Sequence, residues 1–461
     1  MDAAPEPVLP PGLTTALGGP RGRRLRPSGG GPLAALAPVV LLLALPLATA
    51  LLRQAGCLGT GWRGGTPVWR QCASPLVESL PAADLGRGLA AYLTGAVRLD
   101  EPALSGAVTA LLAGLAPGGG TTQQRWFLAL WVVLVALVLA GLVVAVGTVR
   151  DHPRADPVAL ALSPVLALTV LLSSELVPLA FAVLTLWAWT HARVRLAGVA
   201  GGLALLAGPV SALVLLAAAL LPAPGGRAVV RRLLGTAAVT ALAVAVPVAL
   251  LDVGTLARPY AAWSGAGAGP GSPWYLFTLA GLPVRPGHVA VIAGLGWVLA
   301  AALVVVLSRR RPRPVVAAAA LVGVAAVLMT APSFPPYAAI WVVPFVALVG
   351  VRWRDHLVWA LAEAVHAVAL FGHLTAQTDP THGLPAGWYA LALVLRLVAV
   401  GWVARQAWVS GGLPDAVPRP FASWGDPAAA GTLSRLPSER PVDNSPGPVG
   451  SSAYPPVTEG P

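Results

Sequence analysis

VLLSSELVPLAF, residues 170–181, sets a carboxylate, Glu175, in the middle of a long apolar run. Were residues 157–190 one helix across a bilayer, Glu175 would lie near its centre. A charge there costs roughly 2.5–3.5 kcal/mol on insertion scales. The number of helices in this run therefore decides how the chain is organised and which compartment the carboxylate faces.

The rest of the chain supplies the context. Of its 461 residues, 56% are hydrophobic and only 10% charged, and the mean hydropathy is positive. A soluble domain of this size has no use for so much apolar material, whereas a multi-span membrane protein requires it. Lysine is absent, so all 30 basic residues are arginine; with the Ala, Gly and Pro load this reads as GC-rich bacterial codon bias. The net charge of +12 invites a nucleic-acid partner. The arginines, however, sit in short clusters between apolar segments, which is the positive-inside pattern of a membrane protein and argues against nucleic acid. Residues 1–32 and 409–461 are rich in Pro, Gly, Ser or Arg and cannot build a core, so both are expected to be disordered cytoplasmic tails. The apolar stretch from Pro32 to Leu52 exceeds the apolar region of a signal peptide, which favours a retained first span.

Segments long enough to cross occur near 33–53, 126–148, 233–251, 287–308, 314–331, 356–374 and 387–405, and shorter ones near 157–172, 175–190, 196–208, 210–223 and 337–351. Arginine clusters lie at 21–26, 150–154, 193–195, 227–232, 309–313 and 352–354, and end at Arg405. Twelve crossings, some short or broken, place every cluster on one side, which the rule makes cytoplasmic, along with both termini. On this count "SSE" is the outer turn of a short hairpin, and Glu175 faces the extracytoplasmic surface. The second hairpin, meeting at Gly208-Pro209, reads as two half-depth helices beside a cavity open to the outer leaflet.

The largest segment outside the spans, residues 54–125, is then extracytoplasmic. It holds Cys57 and Cys72, fifteen apart. A disulfide there would stabilise by about 3 kcal/mol, the alternative being two unpaired thiols. It also holds Glu78, Asp84, Arg87, Arg98, Asp100 and Glu101, ahead of PALSGAVTALLAGLA, an apolar stretch that suits an interfacial helix. Carboxylates beside such a helix are plausible general bases, and arginines there can hold a lipid phosphate; the plainer reading is solvated loop charge. Farther on, Glu363 and Arg396 lie about eight and nine residues from the cytoplasmic ends of adjacent helices, so their depths agree within roughly 2 Å. Neither charge is tolerable alone, and a structural intramembrane ion pair is expected. His366 and His373 on the same helix read as packing residues.

Several stretches, in matching order over residues 33–408, resemble one family. They are GWRGGTPVWRQCASPL (61–76), GRGLA (86–90) and LDEPALSGAVTALLAGLA (99–116), then ALSPVLALTVLLSSELVPLAFAVLTLWAW (161–189), LAGVAGGLALLAGPVSALVLL (196–216), and PPYAAIWVVPFVAL (335–348) followed by RWRDHLVWALAEAV (352–365). Together they resemble the bacterial polytopic glycosyltransferases of the family 87 type. These belong to the GT-C class and are relatives of polyprenol-phosphate-mannose-dependent mannosyltransferases. Cys72, Ser74, Asp100, Glu175, Tyr337, Trp341 and Glu363 fall at the family's motif positions, Asp100 and Glu175 with the other acid. Pro75 replaces the loop Asp, Gly208 and Val210 the hairpin Lys and Tyr, and Thr330-Ala331 an Asn-Lys.

The resemblance implies an all-α GT-C-like membrane domain that transfers a hexose, mannose favoured, from a polyprenyl-phosphate donor to an envelope glycan or glycolipid acceptor. Asp100, Glu101 or Glu175 would supply the base, and Arg98 or Arg258 the phosphate contact, with Tyr337 and Trp341 binding substrate. No cofactor beyond the lipid-phosphate donor is implied, no metal ligand set is seen, and a divalent metal is left open. The substitutions at Pro75 and Gly208 keep a second reading in play, a catalytically silent relative that scaffolds envelope assembly. Glu175, Glu363 and the broken hairpin keep a third, a lipid or solute transporter. All three place the chain in a bacterial plasma membrane.

Overall fold

The computed structural model describes residues 32–410, apart from 63–65, 151, 153, 222–225, 283, 379–380 and 382. The expected tails, but for their innermost residues, lie outside the described residues. The described elements are helices in the order α1 (Pro32–Leu42), α2 (Ala44–Leu58), α3 (Thr66–Trp69), α4 (Pro75–Ala82), α5 (Gly88–Leu93), α6 (Ala103–Leu115), α7 (Gly120–Thr148), α8 (Pro157–Ala161), α9 (Pro164–Thr169) and α10 (Leu176–Thr190). There follow α11 (Val194–Ala207), α12 (Ser211–Leu220), α13 (Gly226–Gly265), α14 (Tyr275–Leu279), α15 (Pro286–Ser308), α16 (Val316–Thr330), α17 (Val343–Val349), α18 (Trp353–Thr378) and α19 (Ala386–Ser410). Short 3-10 turns occupy Leu85–Arg87 and Pro336–Trp341.

Among the described residues six helices are long and apolar enough to cross a membrane: 36–58, α7, α13, α15, and most of α18 and α19. Their outer faces leave Leu41, Leu137, Leu250 and Val298 uncovered, at 74%, 68%, 82% and 67% exposure. Such a surface would drive aggregation in water and is the expected outer face in hydrocarbon. The chain is a helical membrane protein.

The apolar run of the opening motif is not one helix. Proline starts both α8 and α9, and the chain leaves the helix at Ser163 and again after Thr169 before α10 begins at Leu176. The turn at "SSE" was expected; the break at Ser163 was not. Asp156 caps α8, its carboxylate accepting from the backbone N–H groups of Val158 and Ala159.

Small residues set how closely the helices pack. A Cβ added to Gly202 of α11 would lie 2.5 Å from the Ala237 carbonyl of α13, and one added to Gly198 2.8 Å from that of Leu233, so the two backbones meet across a Gly-xxx-Gly face. The 15-residue α16 is buried on nearly all sides, and its Gly323 lets Val304 of α15 approach. The α11–α12 hairpin turns at Gly208-Pro209, as the sequence predicts. Its tip is filled, however, not open: a Cβ on Gly208 would meet Pro178 at 2.8 Å and Trp341 at 3.8 Å.

Cys57 and Cys72 are bonded, Cα atoms 5.9 Å apart, tying the end of α2 to the segment after α3. The helix expected at the interface, α6, buries Ala103, Ser105, Gly106, Thr109, Ala110 and Ala113 against the bundle and leaves Leu111 and Leu115 exposed. Ser105 donates to the Ala207 carbonyl at the end of α11. At the opposite end of α10, burial together with the charges of Arg150 and Arg193 lowers the proton affinity of the His191 ring. The guanidinium of Arg310 stacks on Trp408. Arg150 and Arg193 thus meet near His191, and Arg310 meets the C-terminal end of α19.

Gly202→Val should lower stability by about 1–3 kcal/mol, the usual cost of overpacking. Thermal unfolding in detergent reads this, and an unchanged midpoint would refute the close α11–α13 contact.

Candidate active site: a carboxylate pair beside the acidic turn

Glu175 stands immediately before α10, and its turn is held from three directions. Arg53 of α2 donates to the carbonyls of Leu168 (2.9 Å) and Ala167 (3.3 Å), placing a cation at the C-terminal end of α9 where orphan carbonyls and the helix dipole favour one. The Ser74 hydroxyl donates to the Leu171 carbonyl at 2.8 Å, and the Leu76 N–H to that of Leu172 at 3.2 Å. The segment that follows the disulfide is thereby strapped to the acidic turn.

The Glu175 Oε2 accepts the indole N–H of the buried Trp341 at 2.6 Å. Glu101, just ahead of α6, accepts from the hydroxyls of Thr109 at 3.1 Å and of Ser174. Because Ser174 is the neighbour of Glu175, the two carboxylates come within electrostatic reach of each other. Burial pushes the Glu101 carboxyl above the usual carboxylate range and the charge on Glu175 pushes it further, while Ser174 and Thr109 pull it back. Burial raises Glu175 too, against the opposing bond from Trp341. Tyr337 lies within reach of both charges. Two half-buried acids of elevated proton affinity, with no cation between them among the described residues, can share a proton.

A second cluster adjoins the first through Tyr92, which feels Glu101 on one side and Arg258 and Asp252 on the other. Asp252 breaks α13 with extended dihedrals (φ −158°, ψ 105°). It then caps the continuation, accepting from the Gly254 N–H at 3.0 Å and the Thr255 hydroxyl at 2.8 Å. Arg258 pairs with Asp252 at 2.9 Å and donates to Thr255 at 2.8 Å. The Thr255 hydroxyl also reaches the Tyr92 carbonyl, at 3.4 Å.

The structure therefore brings Glu101, Glu175, Tyr337 and Trp341 together and sets Arg258 in the next cluster, already engaged with Asp252. Asp100 and Arg98 are exposed and have no hydrogen bond or ion pair among the described residues. Trp341 and the neighbouring turn half-bury Glu175. Glu363 and Arg396 meet at 2.7 Å, at 1% and 0% exposure. Sequence reasoning missed Thr109, Ser174, Tyr92 and Asp252. Only Asp252 carried a signal, a lone carboxylate in an apolar run like that of Glu175. Among the described residues no three His, Cys, Asp or Glu side chains gather as a metal-ligating group. Comparison with protein-family models, with curated proteins and with solved structures finds no match.

A carboxyl that binds its proton more tightly folded than unfolded contributes most below its unfolded value, near 4.5 for Glu, and destabilises as the pH rises through the folded value. The thermal midpoint in detergent should accordingly fall as the pH is raised from about 5 to 8. It should fall less steeply in Glu101→Gln and in Glu175→Gln. Equal slopes in all three proteins would remove the elevated pair.

Proposed function

We propose that this chain is a membrane glycosyltransferase of the GT-C kind, moving a hexose, mannose favoured, from a polyprenyl-phosphate donor to an envelope glycan or glycolipid acceptor. The observation that carries the reading is the Glu101–Glu175 pair, two carboxyls of raised proton affinity beside the strapped loop. Six long helices and six short ones (157–169, α10, α11, α12, α16 and 336–349) make up the twelve crossings of our topology, with the arginine end cytoplasmic and the carboxylate pair extracytoplasmic.

The reaction is one displacement at the anomeric carbon. The acceptor hydroxyl oxygen bonds to that carbon as its bond to the phosphate oxygen breaks, the hydroxyl proton passes to the ionised member of the pair, and polyprenyl phosphate leaves. A base whose proton affinity is lifted toward neutrality suits this step. Trp341, which the resemblance makes a substrate contact, here serves to hold Glu175. Tyr337 remains free to meet the sugar, and Arg98 is the uncommitted cation for the phosphate.

A silent relative is the second reading, favoured by the engagement of Arg258 with Asp252, which leaves that cation already paired. Membranes containing the protein, given radiolabelled polyprenyl-phosphate mannose, should transfer label to extractable glycolipid or glycan. Glu101→Gln and Glu175→Gln should each reduce the rate by about 10²-fold or more. Failure of the unmutated protein to transfer from any polyprenyl-phosphate hexose would establish the silent reading instead.

A further inference from the structure

The buried ion pair between α18 and α19 does more than neutralise two charges. Glu363 is satisfied on one oxygen by Arg396 Nε at 2.7 Å and on the other by the indole of Trp359 at 3.1 Å. That leaves the Arg396 guanidinium with both terminal nitrogens unspent, and it uses them on one loop. Its Nη1 donates to the Phe334 carbonyl, its Nη2 to the Pro335 carbonyl at 3.2 Å, and its central carbon, Cζ, lies 3.6 Å from the Phe334 ring centroid. Five N–H donors in a fixed fork make arginine the side chain for this task, because an ammonium cannot bridge the carboxylate and two successive carbonyls at once.

The loop so gripped leads directly into the 3-10 turn Pro336–Trp341, which has Tyr337 at its start and Trp341 at its end. It is held from the opposite side as well. The Gly269 N–H donates to the Pro332 carbonyl at 2.8 Å and the Phe334 N–H to the Pro270 carbonyl at 3.3 Å. The Gly271 N–H donates to the Tyr389 hydroxyl of α19 at 2.9 Å. Gly271 has φ +81°, and a Cβ there would run into the Phe334 carbonyl and Arg396 Nη1. A chain of direct contacts therefore runs from Glu363 through Arg396 to residues 334–335, along one 3-10 turn, and from Trp341 to Glu175.

We infer that Arg396 is a positioning residue for Glu175: its grip on the Phe334 and Pro335 carbonyls sets the 3-10 turn so that the Trp341 indole donates to the carboxylate. A charge-neutralising role alone would require only Glu363, and two carbonyl bonds plus a stacked ring are a geometry that orients. The inference rests on the reading of Glu175 as part of the reactive pair, but its test does not depend on activity. The titratable groups that face Glu175 are Glu101 and Tyr337, and neither touches Arg396.

The test follows the Trp341 indole N–H in protein carrying ¹⁵N-tryptophan, its resonance assigned by its absence in Trp341→Phe. In the unmutated protein this signal should shift with pH as Glu175 titrates, and in Glu175→Gln that movement should be lost. In Arg396→Lys, which keeps the charge and loses the fork, the signal should move to its Glu175→Gln position and stop responding to pH. A folded Arg396→Lys protein whose indole still titrates as in the parent would overturn the proposal. Should Arg396→Lys not accumulate, Gly271→Ala pushes on the same carbonyl and on Arg396 Nη1 while leaving both charges of the ion pair in place. The same loss of titration there supports the clamp, and an unchanged titration overturns it. Absence of sugar transfer by the parent would undo the transferase reading while leaving this result standing.

Discussion

A carboxylate packed among apolar helices must find a donor or keep its proton, and the bond from Trp341 to Glu175 is the point at which this chain meets that demand. For the carboxylate to lie where an indole can reach it, the run 157–190 has to break before Leu176, so the turn is a requirement of the charge and not an accident of helix length. The strapping of that turn by Arg53, Ser74 and Leu76, and the ordering of the segment after the Cys57–Cys72 bridge, follow from the same need. A disulfide that closes a 15-residue loop limits how far residues 72–76 can stray from α2. Their contacts with Leu171 and Leu172 therefore cost little further ordering.

Much of this was legible from residue types and spacing. Glycine and proline mark the break at Gly208-Pro209, and the polar SSE marks the one before α10. Matching depths on adjacent helices pair Glu363 with Arg396. Each of these signals is local or periodic. What stayed hidden is of another kind. Trp341 lies 166 residues from Glu175, and nothing in an apolar tryptophan announces which carboxylate it will meet. Thr109 and Ser174 resemble any hydroxyl in a helix or turn. Asp252 and Arg258 are six apart, a spacing that brings no two side chains together on a regular helix. Only the break at Asp252, invisible in the pattern, makes the pair possible.

Three groups of buried or half-buried charge differ in sign, and the difference argues for their roles. Glu363 with Arg396 and Asp252 with Arg258 are opposite pairs, each with further hydrogen bonds. This is the arrangement a bundle adopts when charge must be carried safely. Glu101 and Glu175 are like charges with no cation between them, held by hydroxyls and one indole. A like pair resists ionisation of both members and lowers stability at neutral pH, so packing alone gives no reason to keep it. Strained or destabilising arrangements of this sort persist where chemistry uses them.

The same comparison bears on the substituted positions. Gly208 stands where the resemblance expects a lysine, and its missing side chain is what lets Pro178 and Trp341 close over the hairpin tip. A lysine there would either expel the indole from Glu175 or compete with it as the donor. Where the resemblance would put a cation, this chain has close packing, and Glu175 takes an indole as its donor. A cation beside Glu175 would hold the carboxyl ionised, whereas the bond from the Trp341 indole lowers its proton affinity by less than burial raises it. The site so packed holds an acid whose proton affinity stands above the usual carboxylate range.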